Sequence, residues 1–337
     1  MTSLMEKHLT QELRKKYEGV ATTNGTTLAD IIASGVANPD ANVGVYIPDA
    51  EALQVFGDLL NPIVVEYHKL GESHQEFRSD LDPSHLTGVG DLDPSGERIA
   101  TTRIRVARNL ANFPLTPGRS LEQRLEIEAL YSAAFANLPA DLAGTYYSLA
   151  TMSPEDQADL RERHLLFQEG DAHLEAAGIN RDWPHGRGIF LSEGDGYTIF
   201  AWVNEEDERF GVITKGGDVR RAFEILTRFL AQLQKNNLEF AFHPRYGYLT
   251  SCPTNFGTGM RASVMISLPK LSKGPDFKDL MKSLGLQARG THGEHSDSVG
   301  GTYDVSPSAR LGPSEVQIVQ TLCDGVTKLL EMEDAEA

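Results

Sequence analysis

The sequence is poor in cysteine and has no long apolar run. It contains two cysteines in 337 residues, Cys252 and Cys323. Two are too few for a disulfide framework, and neither lies in a Cys/His cluster with the ligand spacing of a zinc site. No apolar run reaches the ~18 residues that a membrane helix requires, and residues 1–16 lack the apolar core of a signal peptide. We therefore expect a cytoplasmic protein that binds no membrane.

Positive charge is also scarce. The formal net charge is −17, with 31 Lys and Arg residues against 48 Asp and Glu residues. This balance argues against nucleic-acid binding, which needs a basic face to neutralise phosphates. It does not exclude a nucleotide ligand, because a few arginines gathered in one cleft can reverse the local field. The positions of the arginines are therefore informative.

The common nucleotide-binding signatures are missing as well. The sequence has no G-x-x-x-x-G-K-[ST] loop, no G-x-G-x-x-G turn between a strand and a helix, and no H-R-D or D-F-G set. If the chain binds ATP, it does so by an arginine clamp.

Apolar spacing predicts helices in the first part of the chain. The stripe from Leu28 to Val36 predicts a short helix that stops near Gly35, and Asn61-Pro62 predicts a new helix start with a cap and a first-turn proline. We expect a small helical domain over residues 1–74. Repeated Asp-Pro and glycine breaks then indicate a solvated linker over residues 75–97.

Residues 98–337 alternate strand-like and helix-like segments. Short turns such as Glu193-Gly194-Asp195-Gly196 join neighbouring strands, which antiparallel pairs allow and parallel pairs do not. Residues 246–251 are predicted to form a strand that leads into Cys252. The expected fold class is α+β: a small all-α N-terminal domain, followed by a larger domain with a mainly antiparallel β-sheet flanked by α-helices.

One thiol and several guanidinium groups are predicted near strand ends. Cys252 precedes a Pro/Gly-rich turn, whereas Cys323 lies in a helical apolar pattern and is expected to be a core residue. Cys252 could also be structural, and any single arginine could be an ion-pair partner. Together the arginines suit a polyphosphate, whose oxygens a guanidinium binds in a bidentate manner. The set comprises Arg103, Arg105, Arg209, Arg261 and Arg289.

Two acidic segments accompany these arginines. Residues 204–207 (Asn-Glu-Glu-Asp) end one predicted strand, and residues 290–295 (Gly-Thr-His-Gly-Glu-His) follow another. Acidic clusters of this kind are mostly solvated turns. However, phosphorylation of a guanidinium nitrogen requires a base, because the group has a pKa above about 12 and is inert until it loses a proton. Two carboxylates that flank such a cation could hold it and accept the proton.

At this point the sequence resembles the phosphagen (guanidino) kinases, and the arginine kinases most closely. The resemblance covers nearly the whole chain. It rests on the segments Lys7-His8-Leu9-Thr10, Tyr46-Ile47-Pro48-Asp49-Ala50-Glu51, Thr102-Arg103-Ile104-Arg105, Trp183-Pro184-His185-Gly186-Arg187-Gly188, Trp202-Val203-Asn204-Glu205-Glu206-Asp207, Lys215-Gly216-Gly217-Asp218, Cys252-Pro253-Thr254-Asn255 and Arg289-Gly290-Thr291-His292-Gly293-Glu294-His295.

The resemblance implies reversible transfer of the γ-phosphoryl group of MgATP to the guanidinium of free L-arginine, giving ADP and phosphoarginine. It implies that the five arginines bind the nucleotide phosphates, and that Mg²⁺ is held mainly through the phosphates rather than by protein ligands. Glu206 and Glu294 would bracket the guanidinium, and Cys252, as a thiolate of low pKa, would contact its non-reacting nitrogen. Val43 and Tyr46 would help to close a loop over the amino-acid end of the substrate.

Three departures from the family pattern bear on these roles. Leu191 and Met265 stand where the family usually has histidines at the adenine. One residue is missing between Asp207 and Arg209, and His292 replaces an arginine.

The residues leave several alternatives open. A kinase for creatine or taurocyamine would have the same fold. A protein-arginine kinase would lack the small helical domain, and a nucleotide-binding scaffold would show no turnover. Monomers and homodimers both occur among the proteins that the chain resembles.

Overall fold

The computed structural model describes residues 2–71, 73–290 and 300–335. The first part of the chain folds into short helices whose apolar faces meet in one core around Phe56, Leu59 and Ile63. These helices are α1 (Leu4–His8), α2 (Gln11–Lys16), α3 (Leu28–Ala37), α4 (Ala52–Val55) and α5 (Gly57–His68).

Two of the helix boundaries predicted here are wrong. Helix α3 starts as expected for a capping box, with Thr27 and Asp30 bonded to each other's backbone N–H groups, but it continues past Gly35 to Ala37. Helix α5 does not restart at Asn61-Pro62, because it begins at Gly57 and Pro62 lies inside it. Gly35 serves a packing contact rather than a helix stop.

Residues 75–97 have mostly exposed side chains, but Phe77, Leu86 and Asp93 are buried. Phe77 is buried and packs with the small helical core. The Arg220 guanidinium donates hydrogen bonds to three carbonyls of this segment, those of Pro83, Leu86 and Val89. Asp-Pro and glycine breaks exclude regular structure, but they do not exclude packing. The domain boundaries at residues 74 and 98 stay predictions.

The rest of the chain forms an antiparallel sheet of eight strands in the order β2-β3-β4-β5-β1-β8-β10-β9, together with a two-stranded sheet. The predicted strand at residues 246–251 is reduced to β7 in the small sheet, and the chain beyond it is irregular up to Cys252. The strands are β1 (Ile99–Arg108), β2 (Thr145–Ser148), β3 (Gly188–Gly194), β4 (Tyr197–Val203), β5 (Glu208–Lys215), β6 (Phe242–His243), β7 (Gly247–Tyr248), β8 (Met260–Ser267), β9 (Leu286–Arg289) and β10 (Thr302–Pro307).

Long helices cover one face of the large sheet. The most regular is α9, in which seven apolar residues recur at helical spacing from Val219 to Leu233 and are buried. Side chains such as Ile104 and Val106 of β1 point to this side and complete the core. The helices of this part are α6 (Leu121–Ala136), α7 (Pro154–Glu162), α8 (Ala172–Ala176), α9 (Val219–Lys235), α10 (Phe277–Ser283) and α11 (Glu315–Ala335).

The predicted α+β fold class is confirmed. Because side chains alternate along a strand, Arg105, which lies between Ile104 and Val106, projects to the opposite face of the sheet. That face lies towards the small helical part. Within the described residues, no helix is long and apolar enough to cross a membrane.

Candidate active site

Strand register places the candidate phosphate-binding arginines on one face of the sheet. In antiparallel pairs, directly opposed residues project to the same side. Arg105 on β1 is opposite Arg261 on β8, and Ala107 is opposite Arg209 on β5. Asp304 on β10 is opposite both Met265 on β8 and Arg289 on β9, which extends the same face to the sheet edge. The side chains that share this face are Arg103, Arg105, Arg209, Arg261 and Arg289.

Arg103 and Arg105 carry uncompensated positive charge. Among the described residues neither forms an ion pair, whereas Arg261 donates from Nη2 to Asp304 Oδ2 at 2.8 Å. The Arg103 guanidinium stacks over the Phe200 ring, 4.8 Å from its centroid. Burial, together with repulsion from Arg209 and Arg103, lowers the pKa of Arg105 to about 9. A polyanion bound here would relieve this repulsion.

Arg209 projects into the site, although the chain has one residue fewer between Asp207 and Arg209 than the family pattern. Its Nε donates to Glu205 Oε2 at 3.1 Å, and its Nη2 is hydrogen-bonded to Glu206 Oε2. Asp207 Oδ2 lies 3.6 Å from Nη2. These carboxylates raise the pKa of Arg209 above its ordinary value, so this guanidinium is always charged.

The carboxylate of Glu206 has a strongly altered acidity. Burial and the neighbouring Asp207 and Glu205 carboxylates outweigh Arg209 and raise the pKa of Glu206 to about 8. Its backbone carbonyl accepts a hydrogen bond from Ser251 Oγ at 2.8 Å. Such a carboxylate can change protonation state near neutral pH, as a general base must.

Asp207 fixes the geometry beneath this site. It is fully buried, and its Oδ1 accepts hydrogen bonds from Ser251 N at 2.7 Å and from Asn109 Nδ2 at 2.8 Å. Since Ser251 directly precedes Cys252, Asp207 joins the acidic segment to the segment that carries the thiol. The sequence placed both segments near strand ends, but only the structure brings them together.

The low pKa predicted for Cys252 depends on neighbouring arginines and on a cationic substrate beside it. Burial and the nearby Glu206 carboxylate raise its pKa to about 12, and its Sγ lies 3.0 Å from Thr254 Oγ1. Among the protein's own groups, Glu206 is the stronger neighbour of the thiol. In this structure Cys252 is a neutral thiol, and only an added cation beside it would favour the thiolate.

Val43 and Tyr46 lie in a loop of the small helical part that reaches this site. The Val43 side chain is buried in the small core, so its contribution to a ligand would come from the backbone. Tyr46 is half-buried, and burial together with Cys252 and Glu206 raises the pKa of its phenol. Ile47 N donates to Ser251 O at 2.8 Å, which ties the loop to the thiol segment.

Apolar side chains continue the same face beyond Arg103. Leu191 on β3 lies opposite Phe200 on β4 and packs with Phe200 and Trp202. Met265 lies opposite Thr101 on β1. Both residues that stand where histidines were expected therefore belong to this face, with Leu191 buried in that cluster and Met265 half-buried.

A cleft of about 720 Å³ lies on the face that carries the arginines. Part of its lining is not predicted from the sequence. Besides Arg105, Glu206, Arg209, Arg261 and Arg289, it is lined by residues at the end of α5 and in the segment after β10. The missed residues with polar side chains are Asn42, Glu66, Tyr67, His68, Lys69, Gln287, Ser308 and Arg310.

His68 is the best defined of the missed residues. Its Nε2 lies 2.8 Å from the carbonyl oxygen of Pro253, next to Cys252, and burial lowers its pKa to about 4. It is therefore a neutral donor that links α5 to the thiol segment. No motif signals this contact, because it joins residues 185 positions apart.

Glu294 and His292, the remaining predicted residues of the site, lie outside the described residues. The described chain ends at Gly290, directly after Arg289, and resumes at Gly300. The bracketing role of Glu294 stays a prediction.

Comparison with known proteins identifies the family. The model of the ATP:guanido phosphotransferase C-terminal catalytic domain matches residues 126–336, and the model of the N-terminal domain matches residues 1–65. An arginine kinase of Liolophura japonica is 46% identical over 334 residues, which covers 99% of this chain and 95% of the relative.

Two solved structures share the fold. A lombricine kinase has a TM-score of 0.92 at 38% identity, with 99% of this chain and 92% of that chain covered. The duplicated taurocyamine kinase of Schistosoma mansoni has a TM-score of 0.90 at 38% identity, with 98% of this chain and 47% of that chain covered. The resemblance inferred from the motifs is thus confirmed, and the chain belongs to the ATP:guanido phosphotransferase family.

Proposed function

We propose that this protein is an arginine kinase, which transfers the γ-phosphoryl group of MgATP reversibly to free L-arginine and thereby buffers cellular energy. The observation that carries the proposal is the cleft on this sheet face, where Arg105, Arg209, Arg261 and Arg289 line the same space as Glu206. The Cys252 thiol lies close enough to Glu206 for that carboxylate to raise its pKa. One end of the cleft suits a polyphosphate, and the other suits a planar cation.

The arginines bind the nucleotide phosphates. Arg103 and Arg105 have no ion-pair partner among the described residues, so they gain most from an anion. Arg261 and Arg209 exchange their carboxylate partners for phosphate oxygens. Catalysis then consists of positioning the reactants and stabilising the charge that develops on the transferred group.

Glu206 holds the guanidinium of arginine and accepts its proton. A guanidinium nitrogen loses a proton to the carboxylate and forms the N–P bond, while the bond from the γ-phosphorus to the bridging oxygen breaks and ADP leaves with that electron pair. In the reverse direction Glu206 returns the proton. A raised pKa suits both directions, because the carboxylate gains and loses a proton near neutral pH.

Cys252 orients the guanidinium without forming a covalent bond. The cation beside it shifts the thiol towards the thiolate, and the thiolate then contacts the nitrogen that does not react. Glu294, on the segment after Arg289, would bracket the cation from the other side.

Backbone N–H groups of the loop recognise the amino-acid end of the substrate. Asn42 lines the cleft, and the N–H groups of Asn42, Val43 and Gly44 donate to no partner among the described residues. Consecutive free N–H groups bind carboxylates well. This arrangement favours an α-amino acid such as arginine over a guanidino compound without a carboxylate.

Mg²⁺ enters as part of the substrate MgATP. Among the described residues, no group of three or more His, Cys, Asp or Glu side chains is arranged to hold a metal ion. The guanidinium-rich cleft instead fits a metal that is carried by the phosphates. Bound in this way, the ion neutralises phosphate charge.

The relatives bear on the identity of the guanidino substrate. The solved relatives include a lombricine kinase and a taurocyamine kinase, and a shared fold does not fix a substrate. Identity of 46% with an arginine kinase over nearly the full length favours arginine. A monomer or homodimer and a cytoplasmic location remain predictions.

A parallel assay separates the candidates. MgATP-dependent ADP formation is measured with free arginine, creatine, taurocyamine, glycocyamine and a protein substrate. We expect turnover with arginine above all others. Turnover with another guanidino compound only would show that this compound, and not arginine, is the substrate. Turnover with none of the free compounds would reject the proposal.

A further inference from the structure

The loop that carries Val43 and Tyr46 is held against α3 by a contact between two glycines. Gly35 lies inside α3, and a Cβ atom built there would stand 2.2 Å from the carbonyl oxygen of Gly44 and 2.7 Å from its Cα. No side chain larger than hydrogen fits at position 35 while the loop keeps its place. This contact explains why a glycine stands inside a regular helix.

Helix α1 holds the same loop from another side. Leu4 N donates to Asn42 O at 2.9 Å, and Met5 N donates to Val43 O at 2.9 Å. Ser3 caps the helix by accepting a hydrogen bond from Glu6 N at 3.1 Å. The carbonyls of Asn42 and Val43 are thus engaged by α1, which leaves the neighbouring N–H groups for a ligand.

Gly44 has no room on either side. A Cβ atom there would lie 3.1 Å from Met5 Cβ and 3.4 Å from Gly35 Cα, and its φ of +79° is one that other residues rarely adopt. Beyond it, Tyr46 N donates to Ile31 O at 3.0 Å, and Ile47 N donates to Ser251 O. The loop is therefore a clamped element whose position depends on the spacing between α1 and α3.

We propose that Gly35 is a positioning residue that sets where the loop meets the amino-acid end of the guanidino substrate. This inference rests on the proposed function. An added methyl group at Gly35 is about 1 Å too close to the loop backbone for ordinary contact, so the loop must move away from α3. A misplacement of about 1 Å can cost about 10²-fold in rate or affinity.

The test compares Gly35→Ala with Val36→Ala, the neighbouring position of the same helix, whose side chain is 62% exposed. Three constants are measured for each variant: KM for arginine, KM for MgATP, and the inhibition constant of agmatine, which is arginine without its carboxylate. We expect Gly35→Ala to raise KM for arginine at least tenfold. KM for MgATP and the agmatine constant should change less than twofold, and Val36→Ala should leave all three unchanged.

A uniform change in all three constants, or an unchanged KM for arginine, would overturn the inference. If Gly35→Ala does not give a cooperative thermal transition, Ser3→Ala carries the test, because it loosens α1 without adding volume. That variant should raise only KM for arginine, about threefold, and an unchanged value would again overturn the inference. Failure of the wild-type protein to use arginine would instead reject the proposed function.

Discussion

The guanidinium of Arg209 is hydrogen-bonded to the carboxylate of Glu206. The proposed mechanism assigns these two groups to different substrates, Arg209 to the phosphates and Glu206 to the guanidinium. Each substrate therefore takes one partner from the pair. Both residues of the pair line the cleft.

Replacing Glu206 by Gln removes the charge while it keeps the shape of the side chain. We expect kcat for arginine to fall about 10²- to 10⁴-fold, because the variant loses the base and the counter-ion of the cation. Affinity for MgATP, measured by nucleotide titration, should stay within about threefold, as Arg209 is then freed for the phosphates. Glu193→Gln, on the exposed end of β3, is the matched control. A Glu206→Gln enzyme with more than a tenth of the normal kcat would contradict the role.

The raised pKa of Glu206 predicts a pH dependence for arginine. Free enzyme binds the cation when Glu206 is ionised, and its pKa is raised to about 8. Because ionisation increases as the pH rises through this value, kcat/KM for arginine should rise from pH 6 through pH 8 and level off above about pH 9. Steady-state assays at constant ionic strength measure the profile. A flat profile from pH 6 to pH 9 would show that Glu206 is not the titrating group.

Truncation of Arg261 should nearly abolish turnover. Its guanidinium lies on the cleft face beside Arg105, and we expect Arg261→Ala to lower kcat/KM for MgATP more than about 10²-fold, as loss of a preorganised charge does. Arg228→Ala provides the matched control, since Arg228 is half-exposed on α9 and pairs with Asp141. Equal activity of the two variants would remove Arg261 from the phosphate site.

Cys252→Ala should retain a reduced, measurable rate. The thiol orients the guanidinium and forms no covalent bond, so we expect kcat to fall roughly 10- to 100-fold, which corresponds to about 1.4 to 2.7 kcal/mol. Single-turnover assays distinguish slow chemistry from slow product release. A fully active Cys252→Ala enzyme would show that the thiol is structural, and complete loss of turnover would point to a covalent role.

The positions of the arginines were predictable because strand alternation alone puts Arg103 and Arg105 on one face. The approach of Arg261, Arg209 and Arg289 depends on the register between strands that are distant in the sequence. Local patterns carry no information on that register. The motif resemblance supplied what the spacing could not.

The features that local patterns do not predict share one cause. The pattern interprets Gly35 as a helix stop, whereas packing on Gly44 decides its place inside α3. Tertiary packing likewise gives the mostly exposed segment 75–97 its contacts with Arg220, which the sequence does not predict. The low pKa of Cys252 is predicted from its arginine neighbours together with a cationic substrate, whereas burial and Glu206, which the sequence does not place beside it, raise that pKa. Each of these contacts joins segments that the sequence does not connect.

³¹P NMR of the protein incubated with MgATP and free L-arginine follows the proposed phosphoryl transfer itself. We predict that an acid-labile phosphoramidate signal appears in proportion to the ADP formed, and that phosphoarginine with MgADP regenerates ATP. Formation of ADP with inorganic phosphate alone, or no change in the ATP signals, would contradict phosphoryl transfer to arginine.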